Sequence, residues 1–249
     1  MFSGIRTLWL KVQSLFVKKA GAISTLPFHP YKEDTINLEY NKLFCDNLAL
    51  FRPSGKLEGN WKKLYAKNPF VEDFKAIAED THTESRIRIL AFNELRSRKI
   101  VTTKEVLGVV IEVGAEEGLE AIALYKDLNV RYVNARSKLF TSNNTGDINE
   151  KVGNILAVSQ KIIEKAERNT EPRQAPPAAD EFRITFLVAD GFYTGQGNLA
   201  DIEKDLVAKV LVFEAGEIMV ALAQVTKEPT PEVPEKAPEK IADNIFASK

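Results

Sequence analysis

Leu107-Gly-Val-Val-Ile-Glu-Val113 and Leu119-Glu-Ala-Ile-Ala-Leu-Tyr125 are two apolar runs, separated by the turn-forming stretch Gly114-Ala-Glu-Glu-Gly118. A third run, Val130-Arg-Tyr-Val-Asn134, follows after a short link. β-Branched and aromatic residues bounded by Gly, Asp and Asn are typical of strands joined by tight turns. This stretch therefore predicts an antiparallel meander, with a short fourth strand at residues 138–141.

A further strand is predicted well downstream of the meander, at Phe182-Arg-Ile-Thr-Phe-Leu-Val188. Apolar residues recur at helical spacing around Ile155, ahead of this strand, and around Leu211, after it. The proline-containing residues 168–181 predict an exposed connector. We therefore expect a small antiparallel sheet of three to five strands, packed on one face against the two helices.

The first hundred residues have a different pattern from the sheet region. Residues 33–100 carry a succession of helical stripes, and Thr81-His-Thr-Glu84 has the capping-box pattern that begins a helix. The sequence thus predicts an α+β fold, with a mostly helical N-terminal half and then sheet and helices over residues 101–225. Residues 27–225 are long enough for one large domain, and we expect a single one.

Residues 1–26 are predicted to form an amphipathic helix with a basic polar face. The residues expected to contact a membrane or a partner are Ile5, Leu8, Trp9, Val12, Phe16, Lys11, Lys18 and Lys19. No acidic residue precedes Glu33, and this composition is typical of a helix that lies on an anionic membrane surface. The same apolar stripe fits docking on the main body or on a second subunit equally well, so both interpretations stay open.

The opposite end of the chain, residues 226–249, is rich in Pro, Glu and Lys. Such a composition buries too little apolar surface to fold alone, so we expect a disordered tail. No run of about eighteen uncharged apolar residues occurs in the chain, and no transmembrane span is predicted.

Composition argues against several classes of function. The formal net charge of -1 gives no reason to expect nucleic acid as a partner. Cys45 is the only cysteine, and His29 and His82 are the only histidines. Patterns typical of zinc hydrolases, serine hydrolases or thiol redox enzymes are missing from the sequence. We therefore predict no catalytic residue, no metal site and no cofactor.

One glycine-rich stretch is a candidate ligand site, Ala189-Asp-Gly-Phe-Tyr-Thr-Gly-Gln-Gly197, with Asp190, Tyr193, Gly195 and Gly197 as the residues of interest. A strand that runs into glycines can cradle phosphate on backbone N–H groups. The spacing fits neither the dinucleotide-binding nor the P-loop pattern. Asp-Gly is also a common hairpin turn, and we favour this structural interpretation.

Acidic residues in the meander offer a weaker candidate. Glu112 and Glu120 lie on strands expected to be neighbours, where two facing carboxylates serve as acid and base or hold a cation. Carboxylates on the wet face of an antiparallel sheet need no such role. We favour the second interpretation.

Two segments resemble a group of uncharacterised bacterial proteins. They are Glu105-Val-Leu-Gly-Val-Val-Ile-Glu-Val113 with the strands after it, and Thr185-Phe-Leu-Val-Ala-Asp-Gly-Phe-Tyr-Thr-Gly-Gln-Gly197. The similarity covers residues 86–222. It implies a soluble bacterial protein without an assigned activity, and no functional residue is carried over. The family pattern tends to have a glycine-type turn before the third strand, where this chain has Asp127-Leu-Asn129.

These observations favour a non-catalytic interaction or scaffold protein of bacterial type. It would contact a protein partner or an anionic membrane through its N-terminal helix, and we expect it in the cytoplasm, peripheral to the inner face of the membrane. The alternative is a small-molecule or nucleotide-binding enzyme with its site at residues 190–197.

Overall fold

A computed structural model describes residues 26–143 and 146–225. The predicted N-terminal contact residues, from Ile5 to Lys19, and the predicted Pro/Glu/Lys tail lie outside the described residues.

Six antiparallel strands form one sheet in the order β4-β3-β2-β1-β5-β6. They are β1 Val106–Ala115, β2 Gly118–Tyr125, β3 Asn129–Val133, β4 Leu139–Asn143, β5 Glu181–Val188 and β6 Gly191–Asn198. The meander and the downstream strand are confirmed. The sheet has one strand more than the three to five predicted, because the glycine-rich stretch pairs with β5 along its whole length.

Six α-helices accompany the sheet within the described residues: α1 Asp34–Lys42, α2 Gly59–Leu64, α3 Val71–Glu79, α4 Ser85–Ser97, α5 Gly146–Lys165 and α6 Leu206–Val225. Two short 3-10 helices lie at Leu48–Phe51 and Leu199–Lys204. The α+β class is confirmed, and the helices before β1 make up most of the regular structure there.

Helices cover both faces of the sheet. The face that carries Val110 and Ala123, called here the first face, packs against residues of α1, α3 and α4. The face that carries Ile111 and Ile122, the second face, packs against α5 and α6. The helices around Ile155 and Leu211 pack on one face, as predicted, and the N-terminal helices cover the other face, for which the sequence predicts no cover. The apolar run of β1 fits this arrangement, because a strand buried on both sides needs apolar residues at successive positions.

Helix α4 begins in a different way from the one predicted. The helix starts at Ser85, whose backbone N–H donates to Asp127 Oδ2 at 2.8 Å, while the Asp127 N–H donates to Ser85 Oγ at 3.0 Å. Asp80, and not Thr81, organises the preceding turn by accepting from His82 N and Thr83 Oγ1. The capping-box prediction was wrong, because the turn between β2 and β3 supplies the cap.

The segment 166–180, the connector, crosses the first face before β5. Its end lies close against β1: a Cβ atom added to Gly114 would lie 1.9 Å from the carbonyl oxygen of Ala178. The Asp180 N–H donates to the Gly114 carbonyl at 3.0 Å. Most of the connector is exposed, as predicted, but the side chain of Arg173 is buried.

Candidate functional site

A buried cluster of charged residues lies on the first face. Glu112 of β1 and Arg183 of β5 are register partners on adjacent strands, so their side chains leave the sheet side by side. The Arg183 Nη1 atom lies 3.9 Å from Glu112 Oε2. From α1, the hydroxyl of Tyr40 donates to Glu112 Oε1 at 2.6 Å. The Glu112 residue is 0% exposed, so the favoured interpretation of a carboxylate on the wet face of the sheet was wrong for this residue, because α1 and the connector cover that face. Full burial is unusual for a carboxylate unless it is paired.

The connector adds a second arginine to this cluster. Arg173 donates from Nε to Asp46 Oδ2 at 2.8 Å and from Nη2 to Asn41 Oδ1 at 2.7 Å. Its guanidinium lies 4.0 Å from the ring centroid of Phe44, an arrangement that favours a cation over an aromatic face. These contacts hold the middle of the connector against α1 and the turn after it.

Burial has the largest effect on the pKa of Glu112. Removal from water raises the pKa of this carboxyl above its usual value of 4.5, while the Tyr40 hydroxyl and the two arginines oppose the rise. Burial, reinforced by the neighbouring Glu112, also raises the pKa of Tyr40, which keeps its hydroxyl protonated and able to donate. The cluster is therefore a network in which the carboxyl takes up a proton more readily than a solvated one.

A cavity of about 230 Å³ opens beside the cluster, between the connector and strands β5 and β6. Most of its lining side chains carry N–H or O–H donors: Asn169, Glu171, Arg173, Gln174, Arg183, Thr185, Phe192, Thr194 and Gln196. Arg183 is held in place by Gln196 Oε1, which accepts from both Nε and Nη2, and by the carbonyl of Ala175. We call this the connector cavity.

The residues of the predicted ligand turn do not gather at this cavity. Asp190 and Gly191 form the turn between β5 and β6, and Gly191 has φ +147, a value that glycine tolerates. The Tyr193 hydroxyl donates to Asp190 Oδ2 at 2.9 Å, and burial raises the pKa of Tyr193 to about 12. Tyr193 and Gly195 lie on the second face of the sheet, against residues of β5 and α6.

Gly197 also faces away from the connector cavity. A Cβ atom there would lie 2.9 Å from the Phe182 ring, on the second face. The alternate residues of the same strand, Phe192, Thr194 and Gln196, line the cavity instead. Sequence reasoning missed these three residues, although the strand alternation of the stretch was the available signal.

Glu112 and Glu120 do not form a carboxylate pair. Glu120 is the register partner of Val113, one position beyond Glu112, and therefore lies on the opposite face. There it accepts hydrogen bonds from the Tyr132 hydroxyl and from the backbone N–H of Ala135.

The outer side of α6 is a second candidate site of a different kind. While Leu211, Ile218 and neighbouring residues pack on the second face, Leu206 is 72%, Phe213 57% and Val220 58% exposed. A groove of about 730 Å³ runs between α6 and the 3-10 helix before it. Its lining is mainly apolar: Leu199, Ile202, Val212, Phe213, Gly216, Glu217, Val220, Ala221 and Gln224. We call it the α6 groove.

The histidines and the single cysteine do not line the connector cavity or the α6 groove. His29 and His82 are exposed. Cys45 is fully buried, and burial raises the pKa of its thiol to about 12, so it stays protonated at neutral pH. Within residues 26–143 and 146–225, His, Cys, Asp and Glu nowhere gather in a group of three or more that suits a metal ion.

No helix in the described part of the chain combines the length and the apolar character that crossing a bilayer requires. Comparison with protein-family models, with curated proteins and with solved structures finds no match for the chain. The likeness of residues 86–222 to bacterial proteins stays a prediction.

Proposed function

We propose that this protein is a non-catalytic interaction protein whose α6 groove binds an amphipathic helix. The observation that carries the proposal is the exposed apolar side of α6, with Leu206, Phe213 and Val220 each more than half exposed. Large apolar side chains scattered singly on a surface need no explanation, whereas a contiguous stripe beside a groove is typical of an interaction site.

The dimensions of the groove fit this mode of binding. A volume of about 730 Å³ along a helix of 20 residues accommodates several side chains in a row. Amphipathic helices bind such grooves with apolar residues spaced three and four apart. Gly216 leaves room in the floor, because a Cβ atom added there would meet nothing within 4 Å.

Charge favours a basic helix as the occupant. Helix α6 carries Glu214 and Glu217 but only one basic residue, Lys209. Glu217 pairs with Lys151 of α5, and Lys209 pairs with Glu203, so Glu214 is the charge of α6 without an ion pair in the described residues. Glu214 would repel an anionic membrane, while a helix with lysines beside an apolar stripe would be attracted.

The occupant that we name is the N-terminal segment of this chain, supplied in cis or by a second copy. Its predicted stripe, with Leu8, Trp9 and Phe16, and its lysines have the required composition. The competing prediction is that the N-terminal segment contacts an anionic membrane. The predicted localisation at the inner face of the membrane depends on that competing prediction.

Fluorescence of the full chain tests this proposal. The chain has two tryptophans, so Trp61→Phe leaves Trp9 as the only reporter. We expect a blue-shifted emission that iodide quenches weakly. Adding Phe213→Asp and Val220→Asp should shift the emission to the red and expose Trp9 to iodide.

The matched control replaces two exposed apolar residues outside the groove, Phe70→Asp and Val101→Asp, and should leave the emission unchanged. Dilution separates docking in cis, which is independent of concentration, from docking on a second copy. A Trp9 spectrum that responds equally to both pairs of substitutions overturns the proposal. A shift only upon addition of anionic vesicles would support the membrane interpretation instead.

A further inference from the structure

We propose that the connector cavity binds a small oxyanion, a carboxylate or a phosphate group, on the side chains of Thr185, Thr194 and Arg173. This site is separate from the α6 groove and does not rest on the docking function. It also differs from the predicted ligand turn, whose Tyr193, Gly195 and Gly197 face the other side of the sheet.

Unused hydrogen-bond donors are the first argument. Thr185 and Thr194 are register partners on β5 and β6, and both line the cavity. Among the described residues, neither hydroxyl has a hydrogen-bond partner, in contrast to Arg183 and Gln196 two residues away, which bond to each other. Two adjacent hydroxyls pointing to one side of a sheet provide a pair of donors at the spacing of neighbouring strands.

Charge is the second argument. Arg173 and Arg183 both line the cavity. Arg173 pairs with Asp46 through Nε, and Arg183 lies 3.9 Å from Glu112, so the free donor is the Nη1 group of Arg173, which is buried without a hydrogen-bond partner in the described residues. Glu171 is the one acidic residue of the lining, and it is exposed. Arginine is well suited to carboxylate and phosphate groups because its donors form a planar fork.

Size limits the class of ligand. The cavity of about 230 Å³ is smaller than the roughly 300–1,000 Å³ of sites for drug-sized molecules. A whole nucleotide therefore exceeds it, whereas inorganic phosphate or a short dicarboxylate fits. The alternative function, a nucleotide-binding enzyme, gains no support from this cavity.

Calorimetric titration of the full chain tests the proposal, with sodium phosphate and sodium malonate as separate probes at constant ionic strength set with sodium chloride. We expect saturable binding of at least one probe, and the comparison of the two distinguishes a phosphate from a carboxylate ligand. Thr185→Val and Thr194→Val keep the side-chain shape and remove the hydroxyls. Each should weaken binding about tenfold, since a hydrogen bond to a charged group contributes at least that factor.

The control variant is Thr141→Val, on β4 at the far edge of the sheet, which should bind like the unchanged protein. Absence of saturable binding for both probes overturns the proposal. So does binding that the two valine variants leave unchanged, because the oxyanion would then lie elsewhere. Circular dichroism of each variant confirms that the sheet is intact.

Discussion

The two faces of the sheet are covered in different ways, although the same strands supply both. On the second face, the helices α5 and α6 pack through apolar side chains such as Ile155 and Ile218. On the first face, apolar packing surrounds a buried network of Glu112, Arg183 and Tyr40. The difference arises because alternate residues of one strand point to opposite faces.

This contrast shows two means of fixing a neighbouring segment. The buried apolar area of their side chains holds α5 and α6 on the second face, and substitutions that conserve side-chain volume are tolerated there. The connector contains no large aliphatic or aromatic side chain, and directed hydrogen bonds hold it instead: Arg183 donates to its carbonyls at Gln174 and Ala175. A buried polar network stabilises a unique arrangement only when its members are satisfied together.

The largest loss of stability is expected on the second face. Ile155 is fully buried between α5 and the sheet, so Ile155→Ala should lower the free energy of unfolding by about 2–5 kcal/mol. Urea denaturation followed by circular dichroism measures this. Leu156→Ala, on the same helix but only half-buried, is the control and should cost less than half as much. Equal costs would show that α5 does not pack through the Ile155 side.

An intermediate loss of stability is expected when the buried polar network on the first face is changed. Arg183→Met removes the donor to two connector carbonyls and to Gln196, and should cost about 1–3 kcal/mol. Combined with Glu112→Gln, it should cost less than the sum of the single changes, by about 0.5–3 kcal/mol. The four free energies of unfolding form a double-mutant cycle. Additive values would mean that the two side chains do not interact in the folded protein.

A smaller contribution to stability, from the Glu112 carboxyl, should depend on pH. Because burial raises the pKa of Glu112 above 4.5, the folded protein binds this proton more tightly than the unfolded chain. As the pH rises above 4.5, the unfolded chain loses the proton first, and stability falls until the pH passes the folded-state pKa. Glu112→Gln removes this dependence while keeping an acceptor for Tyr40.

The melting temperature of Glu112→Gln relative to that of the unchanged protein should therefore be higher at pH 8 than at pH 4. Differential scanning calorimetry at both pH values measures the difference. A variant whose advantage is larger at pH 4 would reverse the sign and show that the arginines outweigh the effect of burial.

The smallest effect on stability is expected at the outer side of α6. Phe213 is 57% exposed, so Phe213→Asp should change the free energy of unfolding by less than about 0.5 kcal/mol. The urea midpoint of this variant measures the change. Leu211→Asp is the comparison, because Leu211 is buried and a charged residue there should detach α6 from the sheet. A large loss for Phe213→Asp would show that its ring is covered in the full chain, and the Trp9 emission of the same variant would then distinguish the docked N-terminal segment from the core.

Local sequence determined much of the fold. The alternation of apolar residues and turn formers in β1, β2 and β3 was sufficient to predict the meander, because strand and turn chemistry is encoded over a few residues. The helical stripes around Ile155 and Leu211 likewise predicted α5 and α6. The Asp190-Gly191 hairpin, which we favoured over a phosphate cradle, follows from the same short-range chemistry.

Only the tertiary structure decided which residues meet. Glu112, Arg173 and Arg183 are separated by up to 71 positions in the sequence, and the register of β1 with β5 brings two of them together. The same register separates Glu112 from Glu120, and the strand alternation of β6 turns Thr194 toward the connector cavity and Tyr193 away from it. Register and face depend on how all the elements pack at once, so a pattern read along one segment does not contain them.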